Sequence, residues 1–583
     1  MKRLFGLLIS LSMLACSSTD NAMPEQTGHS TTEPSTWDKG AMVAAANPHA
    51  VNAAIAILQE GGHAVDAAIA AHAVLGLVEP QSSGIGGGAF MLVYEQAGRE
   101  LTFHDGRETA PAGARVDMFM RDGQVMDFYE SWQSGVAVGV PGTIALYKAA
   151  HKQHGKLPWS TLFAPAITLA EAGFEVSPRM AGFLPRVAKV GRLDENPVTA
   201  AYFFPNGQPL KPGHLLKNPE YAHTLRRIAT EGPDAFYQGE IAEAIAEAAQ
   251  QAPNPGSLTA TDIGNYRALK RDVVCGQFRR DKICTTTPPS SGGAQIMIAG
   301  IYDHLSAKAT TQDQKIAAFI DAQRLAYADR DYYFGDPDAV DVPLEDLINP
   351  AYLKHRASMR FAPNATPEHG DPRAFLHPGQ QAGIWGADTT EEVPGTTHLS
   401  IVDGAGNAVA LTASVEAPFG SSRMVGGFLL NNQMTDFARK PSPDGKPVAN
   451  AIAPGRRPRS SMSPTMVFDQ QGNILMVTGS PGGNSIPAYV AKTIIGVLDW
   501  DLSAQQAVDF PNLVARGERV RVEVSVEPGK AIAAQLKKSG YPVQERKGEN
   551  SGLHVIVVGP DTLDGAADSR REGIVRSLEP GFR

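Results

Sequence analysis

The chain reads Gly395-Thr396-Thr397-His398-Leu399-Ser400-Ile401-Val402, then Asp403-Gly404-Ala405-Gly406-Asn407, then Ala408-Val409-Ala410-Leu411-Thr412-Ala413-Ser414. The two outer segments alternate in polarity or carry β-branched residues, and the connection between them is short, polar and glycine-rich. This combination predicts an antiparallel hairpin with strands over 396–402 and 408–414. The hairpin begins where a largely helical pattern ends, so it divides the chain into two parts of different character.

Outward from the hairpin, the hydrophobic pattern predicts helices before it and strands on both sides of it. The predicted helices are 48–60, 63–77, 139–154, 217–230, 233–251, 291–304 and 312–333, and the further strands are 89–94, 100–104, 427–430, 464–468, 473–479 and 553–558. Residues 360–395 contain few apolar residues and are expected to form an exposed loop. Strands in both halves favour a layered α/β or α+β domain whose halves share one sheet system.

Composition excludes several classes of protein. Hydrophobic residues make up 43% and charged residues 19% of the 583 positions, which is enough apolar material for a large core. The net charge of -9 argues against a nucleic-acid partner. Three cysteines cannot form a four-cysteine zinc site, no His-Glu-x-x-His motif occurs, and no metal site is predicted.

A glycine cluster, Gly84-Ile85-Gly86-Gly87-Gly88, invites comparison with phosphate-binding loops. A dinucleotide-binding loop follows a strand and opens a helix, whereas this cluster follows a predicted helix and precedes a strand. The cluster is therefore interpreted as a tight turn or a close approach of two backbones.

The N-terminal residues have the pattern of an export signal. Lys2 and Arg3 precede the apolar run Leu4–Leu14, which is too short to span a bilayer. The ending Met13-Leu14-Ala15-Cys16 resembles a bacterial lipobox, which predicts residues 1–15 as a signal peptide and Cys16 as the lipidated residue. The alternative is an ordinary signal peptide cut nearby. Residues 17–40 are rich in Ser, Thr and Pro and are expected to form a flexible tether, so a lipid anchor would hold the exported protein at the periplasmic or cell-envelope face of a bacterial membrane.

Cys275 and Cys284 flank a charged turn between two short predicted strands. Facing positions on such a hairpin would allow a disulfide in an oxidising compartment. Two half-buried thiols remain the alternative.

Thr396 is a candidate nucleophile because a chain cut before it would free an α-amine next to its own hydroxyl. That amine, with an ordinary pKa near 7.7–8, is able to act as the base that a weakly nucleophilic hydroxyl needs. The cut requires no protease, since the Thr396 hydroxyl is able to attack the Gly395 carbonyl and form an ester that water hydrolyses.

Three further polar motifs follow predicted strands or lie between them. They are Asn431-Asn432-Gln433-Met434-Thr435-Asp436-Phe437, Arg457-Pro458-Arg459-Ser460-Ser461-Met462-Ser463-Pro464-Thr465 and Gly479-Ser480-Pro481-Gly482-Gly483. Each alone would be compatible with a turn. The Gly482-Gly483 pair additionally offers two backbone N–H groups that suit an oxyanion.

Together and in this order, these motifs resemble those of the γ-glutamyltranspeptidases, also called glutathione hydrolases. The resemblance runs from Ala41 to about Gly573. It includes Glu79-Pro80-x-x-Ser83-Gly84-x-Gly86-Gly87-Gly88, Asp105-Gly106-Arg107-Glu108-Thr109-Ala110-Pro111, Pro288-Pro289-Ser290-Ser291-Gly292-Gly293 and Asp568-Ser569-Arg570-Arg571-Glu572-Gly573.

The resemblance implies an α+β fold, the four-layer αββα sandwich of the N-terminal-nucleophile hydrolases, in which two chains share one sheet core. Self-cleavage between Gly395 and Thr396 would leave a large subunit, 41–395 after the tether, and a small subunit, 396–583. The implied catalytic residues are Thr396, Ser414, Gly482 and Gly483, and the implied substrate-binding residues are Arg107, Glu416, Gln433, Asp436, Ser460 and Ser461.

The implied activity is cleavage of γ-glutamyl amides such as glutathione, with transfer of the acyl group to water, amino acids or dipeptides and with no cofactor. Arg107 would bind the α-carboxylate, helped by Ser460 and Ser461, and Asp436 would bind the α-ammonium. Two alternatives remain. One is an acylase of the same fold that acts on glutaryl or poly-γ-glutamyl amides, and the other is a non-catalytic surface lipoprotein, which would stay uncut.

Several positions depart from the pattern of well-known members. Ser414 replaces a threonine but keeps the hydroxyl, and Glu416 replaces an asparagine, which should strengthen contact with an α-ammonium. The segment 438–455 is shorter than a full lid and lacks the lid tyrosine, which predicts a more open pocket. The cluster Arg456-Arg457-Arg459 is expected to be a solvated loop.

Overall fold

The computed structural model describes residues 37–359, 361–388 and 390–581. The predicted signal peptide, the lipidation at Cys16 and the tether up to residue 36 lie outside this part of the chain. Within it, none of the helices combines the length and the apolar character that crossing a bilayer requires.

Helices form much of the described chain. They are α1 Pro48–Gln59, α2 Ala64–Val78, α3 Phe128–Trp132, α4 Thr143–His154, α5 Ala164–Ala172, α6 Pro178–Gly191, α7 Pro197–Phe203, α8 Pro219–Glu231, α9 Asp234–Tyr237, α10 Glu240–Gln250, α11 Ala260–Asn265, α12 Gly292–Ser306, α13 Gln312–Tyr333, α14 Leu344–Leu347, α15 Pro350–Ser358, α16 Pro372–Leu376, α17 Ile486–Asp499, α18 Ala504–Asp509 and α19 Gly529–Lys538. Short 3₁₀ turns cover Gly135–Ala137, Trp159–Phe163, Pro205–Gly207, Gln433–Asp436, Pro443–Gly445 and Gly483–Ser485.

The strands are β1 Ala41–Ala45, β2 Gly88–Glu95, β3 Glu100–Gly106, β4 Met120–Arg121, β5 Gln124–Val125, β6 Phe174–Glu175, β7 Leu215–Leu216, β8 Leu269–Arg271, β9 Val273–Phe278, β10 Asp281–Thr286, β11 Gly395–Val402, β12 Ala408–Glu416, β13 Met424–Val425, β14 Phe428–Leu429, β15 Thr465–Phe468, β16 Ile474–Gly479, β17 Leu513–Arg516, β18 Arg519–Glu523, β19 Val543–Arg546, β20 His554–Val558, β21 Leu563–Ala567 and β22 Ile574–Leu578. The predicted hairpin is confirmed as β11 and β12, which pair antiparallel from Gly395↔Glu416 to Val402↔Ala408.

Two antiparallel sheets lie face to face between helical layers. The first has the order β22-β1-β11-β12-β2-β3-β8 and the second the order β21-β20-β16-β15-β10-β9. Helices α1, α2 and α4 pack on the outer face of the first sheet, and α12, α17 and α18 pack on the second. This is the four-layer αββα sandwich, and the prediction of an α+β fold is confirmed.

The alternation of side chains along the strands builds two separate cores. On β2, Met91 and Val93 pack toward the helical layer, whereas Phe90 and Leu92 pack between the two sheets. Both faces of the strand are therefore apolar, as a sheet covered on both sides requires.

Strand termini from both sheets meet at one end of the sandwich. In the first sheet these are the start of β11, the end of β12, the start of β2 and the end of β3, which are neighbours in the sheet. In the second sheet, β16 ends at Gly479, where a Cβ would lie 2.3 Å from the His398 ring of β11. Loops that follow these termini converge on one place.

Three expectations need correction. The helix predicted over 233–251 is two helices, because Gly239 between them adopts φ 64°. The loop 360–395 contains α16, and Asp388 and Thr390 within it are buried. Two of the three arginines of the basic cluster are not solvated, since Arg459 is fully buried and Arg457 is 7% exposed, whereas Arg456 is half-buried. Arg457 lies beside Asp105 and the Arg267 carbonyl, and Arg459 beside Asp388, and sequence spacing does not reveal such partners.

Cys275 and Cys284 occupy directly opposite positions on β9 and β10 and form a disulfide in the structure. It joins the two strands at one edge of the second sheet.

Candidate active site

Thr396 lies at the start of β11 and pairs with Ser414 of β12, next to a register irregularity between Gly395 and Thr396. The Thr396 hydroxyl donates to Ser414 Oγ at 3.2 Å, and Ser414 Oγ donates to the Gly395 carbonyl oxygen at 3.0 Å. The backbone N–H of Glu416 donates to Ser414 Oγ at 2.8 Å, which fixes the direction of its hydroxyl. The Ser414 hydroxyl therefore contacts both the Thr396 hydroxyl and the carbonyl of the Gly395–Thr396 bond.

Gly482 and Gly483 follow β16 of the other sheet. Their φ angles are 141° and 55°, a region that side-chain-bearing residues rarely adopt. A Cβ on Gly483 would lie 2.2 Å from the carbonyl oxygen of Glu392. The segment that precedes Thr396 thus lies directly against the glycine pair in the uncut chain.

Arg107 and Asp436 form a buried ion pair at the end of β3. Arg107 Nη2 donates to Asp436 Oδ2 at 2.6 Å, and Gln433 Nε2 donates to the same oxygen at 2.7 Å. Arg107 also donates to the carbonyls of Pro458 and Arg459. Burial raises the pKa of Asp436 to about 6, although the Arg107 guanidinium acts in the opposite direction.

A second carboxylate lies close to the first. Burial, and then the charge of Asp436, raise the pKa of Glu416 well above its ordinary value. Glu416 Oε1 accepts from the Val393 N–H at 3.0 Å. The Asn432 side chain also acts on Glu416 as a hydrogen-bond partner, whereas among the described residues none donates to Asp436 Oδ1. Asp436 Oδ1 is buried, so the site holds an acceptor that lacks a donor.

One cavity collects most of the predicted residues. Its lining consists of Arg107, Glu392, Val393, Thr396, Ser414, Glu416, Gln433, Asp436, Ser460, Met462, Gly483 and Ile486. Gly482 and Ser461 are sequence neighbours of lining residues. A hydroxyl at a strand end, a glycine pair and a set of charged groups that suits a zwitterion are thus brought together from widely separated parts of the chain.

The sequence pattern of the γ-glutamyltranspeptidase family matches residues 50–578. The chain belongs to this family. The glutathione hydrolase proenzyme of Escherichia coli K12 is 37% identical over 551 residues, which cover 91% of this chain and 90% of the relative. The corresponding proenzyme of Bacillus subtilis strain 168 is 35% identical over 548 residues, covering 92% and 91%. The crystal structure of a cephalosporin acylase from Bacillus halodurans superposes with a TM-score of 0.80 at 25% identity, covering 96% of this chain and 99% of that chain.

Family membership does not test the roles predicted for single residues. Ser460 and Ser461, for example, already accept hydrogen bonds from other groups of the protein. Ser460 Oγ accepts from the Met462 N–H at 3.2 Å. Ser461 Oγ accepts from Arg330 Nη2 at 2.7 Å, and the Ser461 N–H donates to Glu392 at 2.8 Å. Both serines are therefore engaged within the protein in the uncut chain.

Sequence reasoning missed Glu392, Arg330 and Asn484. The Arg330 guanidinium pairs with Glu392 at 2.6 Å, and Asn484 Oδ1 accepts from the Glu392 N–H at 2.6 Å. An arginine on the buried face of α13 was a signal that a buried partner must exist. Glu392 lies in an irregular segment and carried no comparable signal. Within the described ranges, no group of three or more His, Cys, Asp and Glu side chains is arranged to hold a metal ion.

Proposed function

We propose that this protein is a self-processing γ-glutamyltransferase and glutathione hydrolase that cleaves γ-glutamyl amides through an ester on Thr396. Membership of the γ-glutamyltranspeptidase family and the identity to two glutathione hydrolase proenzymes support this activity. The proposal includes maturation into a large subunit ending at Gly395 and a small subunit, 396–583.

Maturation begins when Thr396 Oγ attacks the Gly395 carbonyl carbon. The hydroxyl proton passes to the Thr396 nitrogen as the carbon–nitrogen bond breaks, which leaves an ester between Gly395 and the Thr396 hydroxyl. Water then hydrolyses the ester. The Ser414 hydroxyl, 3.0 Å from the Gly395 oxygen, supports this step because it donates a hydrogen bond where negative charge develops.

Turnover reuses the same hydroxyl. The free α-amine of Thr396 takes the hydroxyl proton while Oγ attacks the γ-carbonyl, and the Gly482 and Gly483 N–H groups stabilise the oxyanion. The proton then passes to the leaving amine, and water or an amine acceptor takes the acyl group. Because Glu392 lies against Gly483 in the uncut chain, the segment before Gly395 must leave before substrate binds.

The observation that carries the substrate assignment is the buried Asp436 Oδ1, for which the described residues provide no donor, in a cavity that Glu416 also lines. A γ-glutamyl group brings an α-ammonium with three donors to this place. Its α-carboxylate matches Arg107, whose Nη1 lies 3.5 Å from Glu108 Oε2 and makes no hydrogen bond within the described chain.

A second candidate is an acylase that acts on glutaryl amides, and the superposition on a cephalosporin acylase favours its consideration. A glutaryl group has the same length but lacks the α-ammonium. It would leave the buried Asp436 Oδ1 without a donor, and unsatisfied buried acceptors reduce binding strongly.

Parallel hydrolysis of a γ-glutamyl anilide and the matching glutaryl anilide tests the assignment. We expect kcat/KM to favour the γ-glutamyl substrate by at least about 10²-fold, and Asp436→Asn to reduce that preference. Asp329→Asn serves as the control, because Asp329 is a buried carboxylate paired with Arg356 outside the cavity. Equal rates on both anilides with the wild type would refute the assignment.

Export and lipidation at Cys16 are part of the proposal and depend on the N-terminal sequence alone. Intact mass of the mature large subunit tests both, because cleavage before Cys16 and acylation change the mass in different ways. Cys16→Ser should move the protein from the detergent phase to the aqueous phase. A wild-type mass without an acyl group would refute the anchor.

A further inference from the structure

Arg571 lies near the C-terminal end of the proposed small subunit and contacts Thr396, the proposed nucleophile at its start. It lies in the turn between β21 and β22, and its Nη1 donates to the carbonyl oxygen of Thr396 at 2.9 Å. The side chain is almost fully buried, with 7% of the residue exposed. The contact therefore joins an arginine to the residue that carries the attacking hydroxyl.

The topology shows why Thr396 needs such a donor. β11 has β12 on one side along its whole length, but on the other side β1 pairs only with residues 399–402. β22 begins at Ile574, opposite Ala45 at the end of β1. Arg571 precedes β22 and extends past the end of β1, so its guanidinium takes the place of the missing strand beside Thr396.

The same guanidinium also binds the loop that supports the glycine pair. Nε donates to the Ser551 carbonyl at 3.1 Å and Nη2 to the Asn550 carbonyl at 3.3 Å. In the same loop, the Gly552 N–H donates to Ser480 Oγ at 3.3 Å, and a Cβ on Gly552 would lie 2.7 Å from the Pro481 ring. Ser480 and Pro481 lead directly into Gly482 and Gly483.

We propose that Arg571 is a positioning residue that holds the Thr396 end of β11 at a fixed distance from the loop carrying Gly482 and Gly483. This inference rests on the proposed function. Before the cut, Thr396 is held through Gly395 as well. After the cut it is a chain terminus, and chain termini fray unless they are tied down. A displacement of about 1 Å at a reacting group is able to cost about 10²-fold in rate.

The guanidinium remains charged at neutral pH, although its surroundings lower its pKa. Burial, followed by the charge of Arg179, lowers the pKa of Arg571 to about 9, while Glu79 and Asp568 act in the opposite direction. A planar fork of donors is required to reach carbonyls on two different segments, and a lysine ammonium lacks that geometry.

The test compares Arg571→Met and Arg571→Lys with Arg423→Met. Arg423 is a matched control because it is also buried, donates to three backbone carbonyls (those of Ala248, Gln133 and Pro253) and has a pKa lowered to about 10 by burial, yet does not line the cavity. The measurements are the rate of self-cleavage on a denaturing gel, kcat on a γ-glutamyl anilide, the inhibition constant of L-glutamate, and the thermal unfolding temperature.

For Arg571→Met we expect kcat to fall about 10²-fold, with an unchanged inhibition constant for L-glutamate because Arg107 and Asp436 still bind it. Arg571→Lys keeps the charge opposite Glu79, so its kcat should lie between that of the wild type and that of Arg571→Met. Self-cleavage should slow less than turnover, since Gly395 still holds the strand. Arg423→Met should retain kcat and self-cleavage even if its unfolding temperature falls.

The inference is overturned if Arg571→Met keeps wild-type kcat, or if kcat falls equally in Arg423→Met, or if L-glutamate binding is lost together with kcat. The proposed function fails in a different way, namely if the wild type cleaves itself but does not hydrolyse γ-glutamyl anilide. In that case self-cleavage still tests the positioning role. Slower self-cleavage in Arg571→Met but not in Arg423→Met would support the role, and unchanged self-cleavage in Arg571→Met would overturn it.

Discussion

Ser414→Ala should slow self-cleavage without preventing folding. The substitution removes the hydroxyl that donates to the Gly395 carbonyl oxygen at 3.0 Å and accepts from the Thr396 hydroxyl at 3.2 Å. The scissile carbonyl then loses its donor, and the attacking hydroxyl loses the acceptor that orients it.

The expected decrease in the rate of self-cleavage follows from the contact between Ser414 Oγ and the Gly395 carbonyl oxygen. Loss of one donor to a developing oxyanion costs about 10²–10³ in rate, which corresponds to about 3–4 kcal/mol of activation free energy. The alanine also leaves two donors, the Glu416 N–H and the Thr396 hydroxyl, without this acceptor, which should lower the stability by about 1–3 kcal/mol. Ser414→Thr keeps the hydroxyl and should cleave at a rate close to that of the wild type.

The assay follows the uncut chain on a denaturing gel over time after purification, with intact mass to confirm the cleavage site. Thr397→Ala is the matched control, because Thr397 is the next residue on β11, is buried, and its hydroxyl makes no hydrogen bond within the described chain. Cleavage of Ser414→Ala at the wild-type rate, or equal slowing in both variants, would refute the reasoning.

Three further predictions concern other parts of the protein. Thr396→Ala should abolish both self-cleavage and turnover, and two fragments on a denaturing gel would contradict this. Because burial raises the pKa of Asp436 to about 6, its carboxylate is protonated as pH falls through that value, so KM for a γ-glutamyl anilide should rise by up to about tenfold per pH unit below 6. This dependence should flatten in Asp436→Asn, and an unchanged profile would count against an ammonium at that carboxylate. Reduction of the Cys275–Cys284 disulfide should destabilise the protein by up to about 3 kcal/mol, seen as a lower unfolding temperature with activity retained, and an unchanged temperature would contradict this.

Local patterns predicted the regular elements well. The β11–β12 hairpin, the paired helices α1 and α2, and the long helix α13 agree with the expectations to within a few residues. These elements have strong periodicity, good caps or a clear glycine-rich connection, so neighbouring residues determine them. The helix predicted over 233–251 was wrong because Gly239 was not recognised as a break in an otherwise helical pattern.

Burial of charged residues was predicted poorly. Arg457 and Arg459 were expected in solvent, yet both are buried beside carboxylates from distant segments, Asp105 and Asp388. A charged side chain enters the interior only where partners compensate its lost hydration. Because those partners are hundreds or tens of residues away in the chain, no local pattern reveals them.

By itself, the sequence determined the hairpin, the hydroxyl residue at its first strand and the order of polar motifs that identifies the family. The tertiary structure alone decided which groups meet. It brought Ser414 Oγ to the Gly395 carbonyl, left Asp436 Oδ1 without a donor in the described chain, and placed Arg571 beside Thr396. The physical reason is that hydrogen bonds and charge pairs act over a few ångströms, and only the packing of two sheets brings residues so far apart in the chain within that distance.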